Sequence, residues 1–395
     1  MNKAFLPVCA LLAAVSCADK KFNADIIKLF ERHSYQEHAP QKIKELLDAR
    51  GAAGLHLLDK YAEVIKARKQ FKRAPPAGPA AVSSGLLIGG RGGGFHLLRA
   101  FQKSPALAAG LKDGDRILEV NGIKASSETL SREIQGRGEF RLKVERAVRG
   151  RGPGAGGQGS GAGALKKSLG TFEAGVKKTD FAFPVVFGFY EPGTKTAFVR
   201  ISVFFEGSSG MVLSGLDTLV RSGAKKVIFD LRNNRGGMPD EAAAILDCFA
   251  AKAGPVLELK SRHKGYSRRF DAPGKGKFAG LKAAALVGGG TSMTAEAFAA
   301  ALKDVAGAAI VGGTTRGNVS LQRAFKLGRK NFQLTVARLF PPSGRDLEGT
   351  GLTPEHSVEL SKERAASLKK AWDSSSETVL LDDPFYLKAI KVLSK

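Results

Sequence analysis

The sequence predicts an α/β core with an inserted β-rich unit and a set of short N-terminal helices, and three textures of the chain carry that prediction. From about Phe172 onward apolar strands alternate with amphipathic helices across short loops, the pattern of a mostly parallel sheet covered on both faces. Between Ser84 and Ala147 the runs are instead short, bounded by glycine turns and by the dipeptide Asn121-Gly122, a hairpin signal. Between Phe22 and Phe71 apolar residues recur at helical spacing: Ile26, Ile27, Leu29 and Phe30, then Ile43, Leu46 and Leu47, then Leu57, Leu58, Tyr61 and Val64. Gly51 and Gly54 interrupt this periodicity, so the stretch reads as two or three short helices.

The first eighteen residues stand apart. Lys3 precedes an apolar run from Ala4 to Val15 and then small residues, the layout of a secretory signal peptide and too short to span a bilayer. Ala14-Val15-Ser16-Cys17 resembles a lipobox, which would make Cys17 a lipidated N-terminus. Cleavage after Ser16 or Ala18 fits the same residues. Either route exports the chain, to the periplasm or as an outer-membrane lipoprotein. Cys9 and Cys17 both lie in this segment, so the body keeps one thiol, Cys248, and no internal disulfide framework. Cys248 sits in an apolar helical run and reads as a small core residue.

A hydrophobic fraction of 43% with 25% charged residues excludes wholesale disorder. A formal net charge of +25 raises the case for anionic partners such as lipid headgroups or acidic polymers. No basic run is interleaved with aromatics as a nucleic-acid groove requires, so nucleic acid is not expected. No metal-ligand spacing appears, and no cofactor motif is present. The six histidines fall in unrelated segments, with His96 and His263 read as surface residues.

The divisions follow from composition. They are a signal peptide at 1–18, a helical region at 22–72, the β-rich unit at 84–147, a Gly-rich linker at 148–170, the α/β core at 171–360, and a helical tail at 361–395 whose role is unreadable. Arg73–Ala81 (RAPPAGPAA) is a Pro/Ala linker, and Gly150–Ala164 is low-complexity.

The core is organised around Val287–Gln322. It reads as a strand end, a glycine turn, an Ala-rich helix, a second strand and a loop. A turn of small residues feeding a helix N-terminus is where an α/β enzyme sets a nucleophile, because free N–H groups there stabilise an oxyanion.

Two resemblances sharpen this. Ser104–Gly122 (SPALAAGLKDGDRILEVNG) resembles the signature of a PDZ domain. Such a domain binds a peptide C-terminus by strand addition. The resemblance implies Gly85, Leu86 and Leu87 as the carboxylate-holding loop, with Leu130 and Ile134 either lining the groove or serving as core. The ordered set Leu57–Tyr61, the PDZ signature, FVRISVF (Phe198–Phe204), FDLRNNRGG (Phe229–Gly237), GGGTSMTAE (Gly288–Glu296), VGGTTRGNVSLQ (Val311–Gln322), LTVARLFPPSGR (Leu334–Arg345) and EGTGLTPE (Glu348–Glu355) resembles the carboxyl-terminal processing peptidases, or tail-specific proteases. That implies a tail-specific-protease (ClpP/crotonase-like) core carrying a PDZ-like insertion, and Ser/Lys-dyad chemistry with an orienting Gln.

Carried over by position, the helix Glu is Glu296, the nucleophile position is Met293, the base position is Asn318 and the Gln is Gln322. Met293 and Asn318 are separated by the family's usual spacing. A thioether cannot form an acyl-enzyme ester, and an amide is no base near neutral pH. Gly236 and Gly237 remain as the implied oxyanion turn. Ser292 is the alternative nucleophile, but a one-residue slip at a helix start swings a side chain by roughly 100°.

The expectation is therefore an exported, non-catalytic homologue that binds peptides or protein tails. Its further partners would be an active protease or a second copy of itself, with membrane attachment through a lipidated Cys17. The alternatives are an active serine endopeptidase using Ser292, cutting near protein C-termini, and an envelope-binding protein that recognises anionic polymers.

Overall fold

The computed structural model describes residues 17–65, 81–83, 85–91, 94–101, 103–135, 138–149, 167–181, 186–328, 330–361, 363–364 and 383–395. The signal-like segment up to Ser16, nearly all of the Pro/Ala stretch and the Gly-rich segment at 150–164 lie outside the described residues, as does most of the tail before Asp383. No described helix is long and apolar enough to cross a membrane. The chain divides into two compact units. The first comprises residues 1–72, 258–269 and 320–339, and the second holds the remainder.

At the N-terminus, α1 (Cys17–His33) and α2 (Pro40–Arg50) are followed by a 3-10 turn (Gly51–Leu57). Pro40 opens α2, where a missing N–H costs nothing, and Gly51 closes it at φ +59. The helical spacing read through Tyr61 and Val64 does not hold. Glu63–Ile65 forms strand β1, whose residues pair antiparallel with Asn331–Gln333. A nearby strand edge outweighs a weak local preference. Ile26, Phe30, Ile43, Leu47 and Leu55 bury themselves with Phe332 and Leu334 as the core of the first unit.

The β-rich unit contains β2 (Ala81–Ser83), β3 (Leu86–Arg91), β4 (Gly94–Ala100), α3 (Pro105–Ala108), β5 (Arg116–Val120) and β6 (Ile123–Lys124). It continues through α4 (Ser127–Gln135), β7 (Glu139–Arg149), β8 (Lys167–Lys177) and β9 (Thr179–Phe181). The sheet order is β3-β4-β5-β7-β8, with β6 on β5. The β5–β6 hairpin turns on Asn121 (φ +50) and Gly122 (φ +77), as the dipeptide predicts. Ser104 caps α3, its hydroxyl accepting from Leu107 N at 3.1 Å.

Two findings here differ from the sequence reading. First, β7 runs to Arg149 and pairs along its whole length with β8, so Phe172 belongs to the last strand of this sheet and not to the α/β core. The pairing joins segments on either side of the Gly-rich run, which hides it from local pattern. Second, Leu130 and Ile134 on α4 are enclosed in the core with Ile117, Val120, Phe140 and Leu142. Of the two readings left open for them, the structure places them as core. Leu86 is buried in the same cluster.

The α/β core begins with β10 (Val186–Glu191), β11 (Thr196–Ile201), α5 (Ser208–Arg221), β12 (Lys226–Asp230), α6 (Pro239–Asp247), β13 (Gly254–Lys260) and β14 (Arg268–Ala272). It continues with β15 (Lys282–Val287), α7 (Thr294–Ala306), β16 (Ala309–Gly312), β17 (Ser320–Leu327), β18 (Lys330–Phe340), β19 (His356–Ser357) and α8 (Pro384–Leu393). Six strands form the main sheet in the order β10-β11-β12-β15-β16-β19. All its pairs are parallel except β10 with β11.

Alternation along each strand sends neighbours to opposite faces. Phe198, Ile228, Ala284 and Val311 bury against Tyr386, Ala389 and Leu393 of α8. Phe229 turns the other way and meets Phe249 and Phe298, at ring-centroid distances of 5.5 and 5.7 Å. Both faces are therefore covered. Cys248 caps the end of α6 and is half-buried, not a core residue, and burial raises its thiol pKa.

Candidate functional site

Parallel strands β12 and β15 end side by side, and the loops after them build the site in the second unit. After β12, Asn234 folds the loop into a tight turn. Its Nδ2 donates to Ile201 O at 2.8 Å and its Oδ1 accepts from Gly236 N at 2.8 Å. After β15, Thr291 holds the next loop by donating its hydroxyl to Leu231 O at 3.0 Å, while Ser292 N donates to Asn234 O at 2.9 Å. The two turns are thus stitched together by buried polar groups, each satisfied, as low-dielectric surroundings demand.

Met293 lies at the start of α7 with φ +54 and ψ −125. An L-residue with a side chain seldom adopts that region, and holding it there costs about 1–3 kcal/mol. A strained residue between a strand end and a helix is how α/β hydrolases lift a nucleophile above the sheet. The backbone of a nucleophile turn is present, and its side chain is a thioether. Met293 is half-buried, whereas Ser292 is only 5% exposed. The turn therefore presents Met293 and tucks Ser292 inward.

Gly236 (φ +99) lies directly beneath. A Cβ added there would stand 2.6 Å from Met293 Cβ, so only glycine fits. The N–H of Gly236 is engaged by Asn234, and the carbonyl of Gly237 accepts the Thr294 hydroxyl at 2.7 Å. Of the two glycines implied as oxyanion donors, Gly236 has its N–H committed inside the turn.

Asn318 faces Met293, with Met293 N donating to Asn318 O at 2.5 Å. The two positions inferred from spacing are thus brought together. Glu296, fully buried on the first turn of α7, fixes that approach. It accepts from Thr315 Oγ1 at 2.7 Å, Gly317 N at 2.9 Å and Asn318 N at 3.0 Å. Burial raises the pKa of its carboxyl, and these donors oppose that shift. Glu348 accepts from Val319 N at 3.0 Å and completes the loop's support. Gln322 lies on β17 in the first unit, its side-chain amide donating to Ser320 O at 2.8 Å beside a bulge at Leu321/Gln322.

A second buried network anchors the β12 loop. Asp230 receives Arg232 Nε at 2.9 Å and Nη2 at 3.0 Å. Asp383 takes Arg232 Nη1 at 2.9 Å and Nη2 at 2.7 Å. Both carboxylates are fully buried. Asp383 also caps α8, accepting from Phe385 N at 2.9 Å. The unreadable tail thus acquires a role as the clamp on Arg232. Asp383-Pro384 is a legible helix start, but nothing local tells that its carboxylate meets an arginine 151 residues earlier.

Gly85 has φ +65 and its carbonyl accepts from Phe101 N at 3.1 Å, while β3, carrying Leu86 and Leu87, is the terminal strand of its sheet. Cys17 opens α1.

The parallel strands thus hold the positive-φ Met293 over the Gly236 turn and opposite the buttressed Asn318 loop, which together frame the candidate site. Residues 195–358 match the model of Peptidase family S41. The match covers most of the α/β core and less than half of the chain. The chain is similar to the carboxy-terminal processing protease CtpA of Bacillus subtilis, 23% identical over 352 residues, which covers 88% of this chain and 71% of that protein. It also resembles CtpB of the same organism, 26% identical over 68% of this chain and 54% of that protein. The chain thus spans about half to seven tenths of these curated relatives. Among solved structures, a photosystem II D1 C-terminal processing protease superposes with a TM-score of 0.51 at 19% identity, covering 87% of this chain and 94% of that one. This last likeness speaks to the fold.

Proposed function

We propose that this chain is a non-catalytic member of the family that binds extended peptides or protein tails. The observation that carries it is the Met293–Asn318 pair. The backbone strain, the facing loop and the Glu296 buttress of a Ser/Lys site are in place, while neither side chain can attack a carbonyl or accept a proton near neutral pH. Retaining the frame without the chemistry suits a role in holding peptide. The β-rich unit supports the same reading through its PDZ-like signature, the positive-φ Gly85 and the end strand β3, to which an extended tail could add. With Leu86, Leu130 and Ile134 packed inside, the recognition expected there is mainly through backbone. Export through the N-terminal segment, with or without a lipid on Cys17, would place the protein in the cell envelope.

The test combines binding and cleavage. Unfolded substrates and peptides with free carboxyl termini should bind the wild-type chain and remain intact by mass spectrometry. Amidating the peptide terminus should weaken binding. Met293→Ser with Asn318→Lys should gain cleavage if the rest of the frame is competent. Wild-type cleavage that disappears in Ser292→Ala would overturn the proposal in favour of the displaced-nucleophile peptidase.

A further inference from the structure

The first unit gathers basic side chains that the peptide-binding reading does not use. Residues 258–269 and 320–339 contain five Lys/Arg each, and the single acidic residue among them is Glu258. Glu258 is occupied by Lys260 and Arg269.

Part of this charge lines one side of α1. Arg323 on β17 lies 5.6 Å from the centroid of the Tyr266 ring and 5.8 Å from that of Phe325. Lys330, at the start of β18, lies 5.1 Å over Phe22. His33, at the end of α1, stacks on Phe325 at 4.4 Å and meets the Tyr266 hydroxyl at 2.7 Å. His263 is half-buried beside Tyr266, at 6.5 Å between rings, so two histidines distant in sequence share one aromatic cluster. Besides burial, the neighbours that lower the pKa of His33 are His263, Arg323 and Arg32, all of one sign. Of the nearby acidic residues, Glu37 is 3.9 Å from Arg262, and Glu31 lends its backbone carbonyl to the same guanidinium at 2.6 Å.

We propose that this face, formed by α1, the 258–269 turn and β17, docks on an anionic phospholipid surface. Charge complementarity selects an anionic partner. Distribution selects a surface over a small ion, because the cations are spread along α1 from Phe22 to His33, about 16 Å at 1.5 Å per residue, instead of converging on one point. Arg323 and Lys330 hold their charged heads near aromatic rings, a pairing of cation and amphipathic ring that suits a headgroup layer. Each of these rings already has a cation or His33 against it, an arrangement that favours a headgroup layer over stacking with nucleic-acid bases.

The probe is the full chain with vesicles of equal parts phosphatidylglycerol and phosphatidylcholine, against vesicles of phosphatidylcholine alone, scored by co-sedimentation. Binding should be confined to the anionic vesicles and fall steeply with salt. Arg323→Glu with Lys330→Glu should lower partitioning by roughly tenfold or more. The control pair Lys112→Glu with Lys124→Glu, exposed on the β-rich unit, should lower it far less. Unchanged melting temperature and tail-peptide binding would show that the first pair remains folded. Equal losses from both pairs would overturn the proposal by assigning the effect to net charge. So would no loss from the Arg323/Lys330 pair, or tighter binding to single-stranded oligonucleotide or inorganic polyphosphate than to the anionic vesicles.

Discussion

Two regions of the second unit, close in the fold, are held to different standards. At the Met293–Asn318 pair the backbone is strained and joined by a main-chain hydrogen bond, and the two side chains carry neither a hydroxyl nor an amine. Around it, the Asp230–Arg232–Asp383 network and the Glu296 clamp are built from buried charges held by hydrogen bonds and ion pairs, with Asp383 Oδ2 engaged by Arg232 as an ion pair alone. The contrast teaches that support and reactivity are separable. The turn keeps its strained backbone with an inert thioether on it. A buried charge cannot lose its partner without leaving an unsolvated group behind.

The largest expected effect tests the support. Asp383→Ala strips Arg232 of one of two buried carboxylates and uncaps α8, and should destabilise the protein by about 3–5 kcal/mol in urea titrations. A loss near zero would show that Arg232 relaxes to water and that the network is not a support.

Next comes the junction of the two regions. Gly236→Ala places a methyl against Met293 Cβ at a positive φ, with an expected cost of about 2–3 kcal/mol. Combining it with Met293→Gly should recover about 1 kcal/mol, a coupling measurable in a double-mutant cycle. Strict additivity would mean that the two turns do not press on one another.

Glu296→Ala leaves Thr315, Gly317 and Asn318 without their acceptor, and should cost about 2–3 kcal/mol. Its pH dependence has a defined sign. Burial raises the carboxyl above its ordinary value, so the stability tied to the protonated form is complete below the unfolded value, about 4.3. It is lost as pH rises through the higher folded value. The advantage of wild type over Glu296→Gln, read from urea midpoints, should shrink as pH rises above the unfolded carboxyl value of about 4.3. An advantage that grows with pH would mean that the three donors outweigh burial.

The smallest effect supplies the reference. Lys303 pairs with Glu355 at the surface, both side chains more than two-fifths exposed, so Lys303→Ala should change stability by about 0.5 kcal/mol or less. A loss as large as that from Asp383→Ala would erase the distinction between buried and exposed pairs.

Much of the site is legible in the order and spacing of its residues. The family resemblance, supported by spacing, puts Met293, Asn318 and Glu296 in register, and the fold brings the first two within a main-chain hydrogen bond of each other. Asn121-Gly122 announces its hairpin, and Pro239 its helix, because such signals act within a few residues. Glu296 is legible only as a marker of frame, not as the acceptor that secures the base loop. Pairings across long intervals are not legible. β1 reads as helix until Asn331–Gln333 is beside it, and β8 reads as the start of the core until it lies along β7.

The amino-acid sequence by itself determined the alternation of strands and helices, and that residues 293 and 318 carry neither a hydroxyl nor an amine. Those properties reside in side-chain identity and short-range periodicity. Only the tertiary structure decided that Met293 holds a strained, positive-φ backbone at the start of α7, that Leu130 and Ile134 are core, and that Asp383 clamps Arg232. Each depends on which distant groups exclude water from one another, and burial of that kind belongs to the assembled fold.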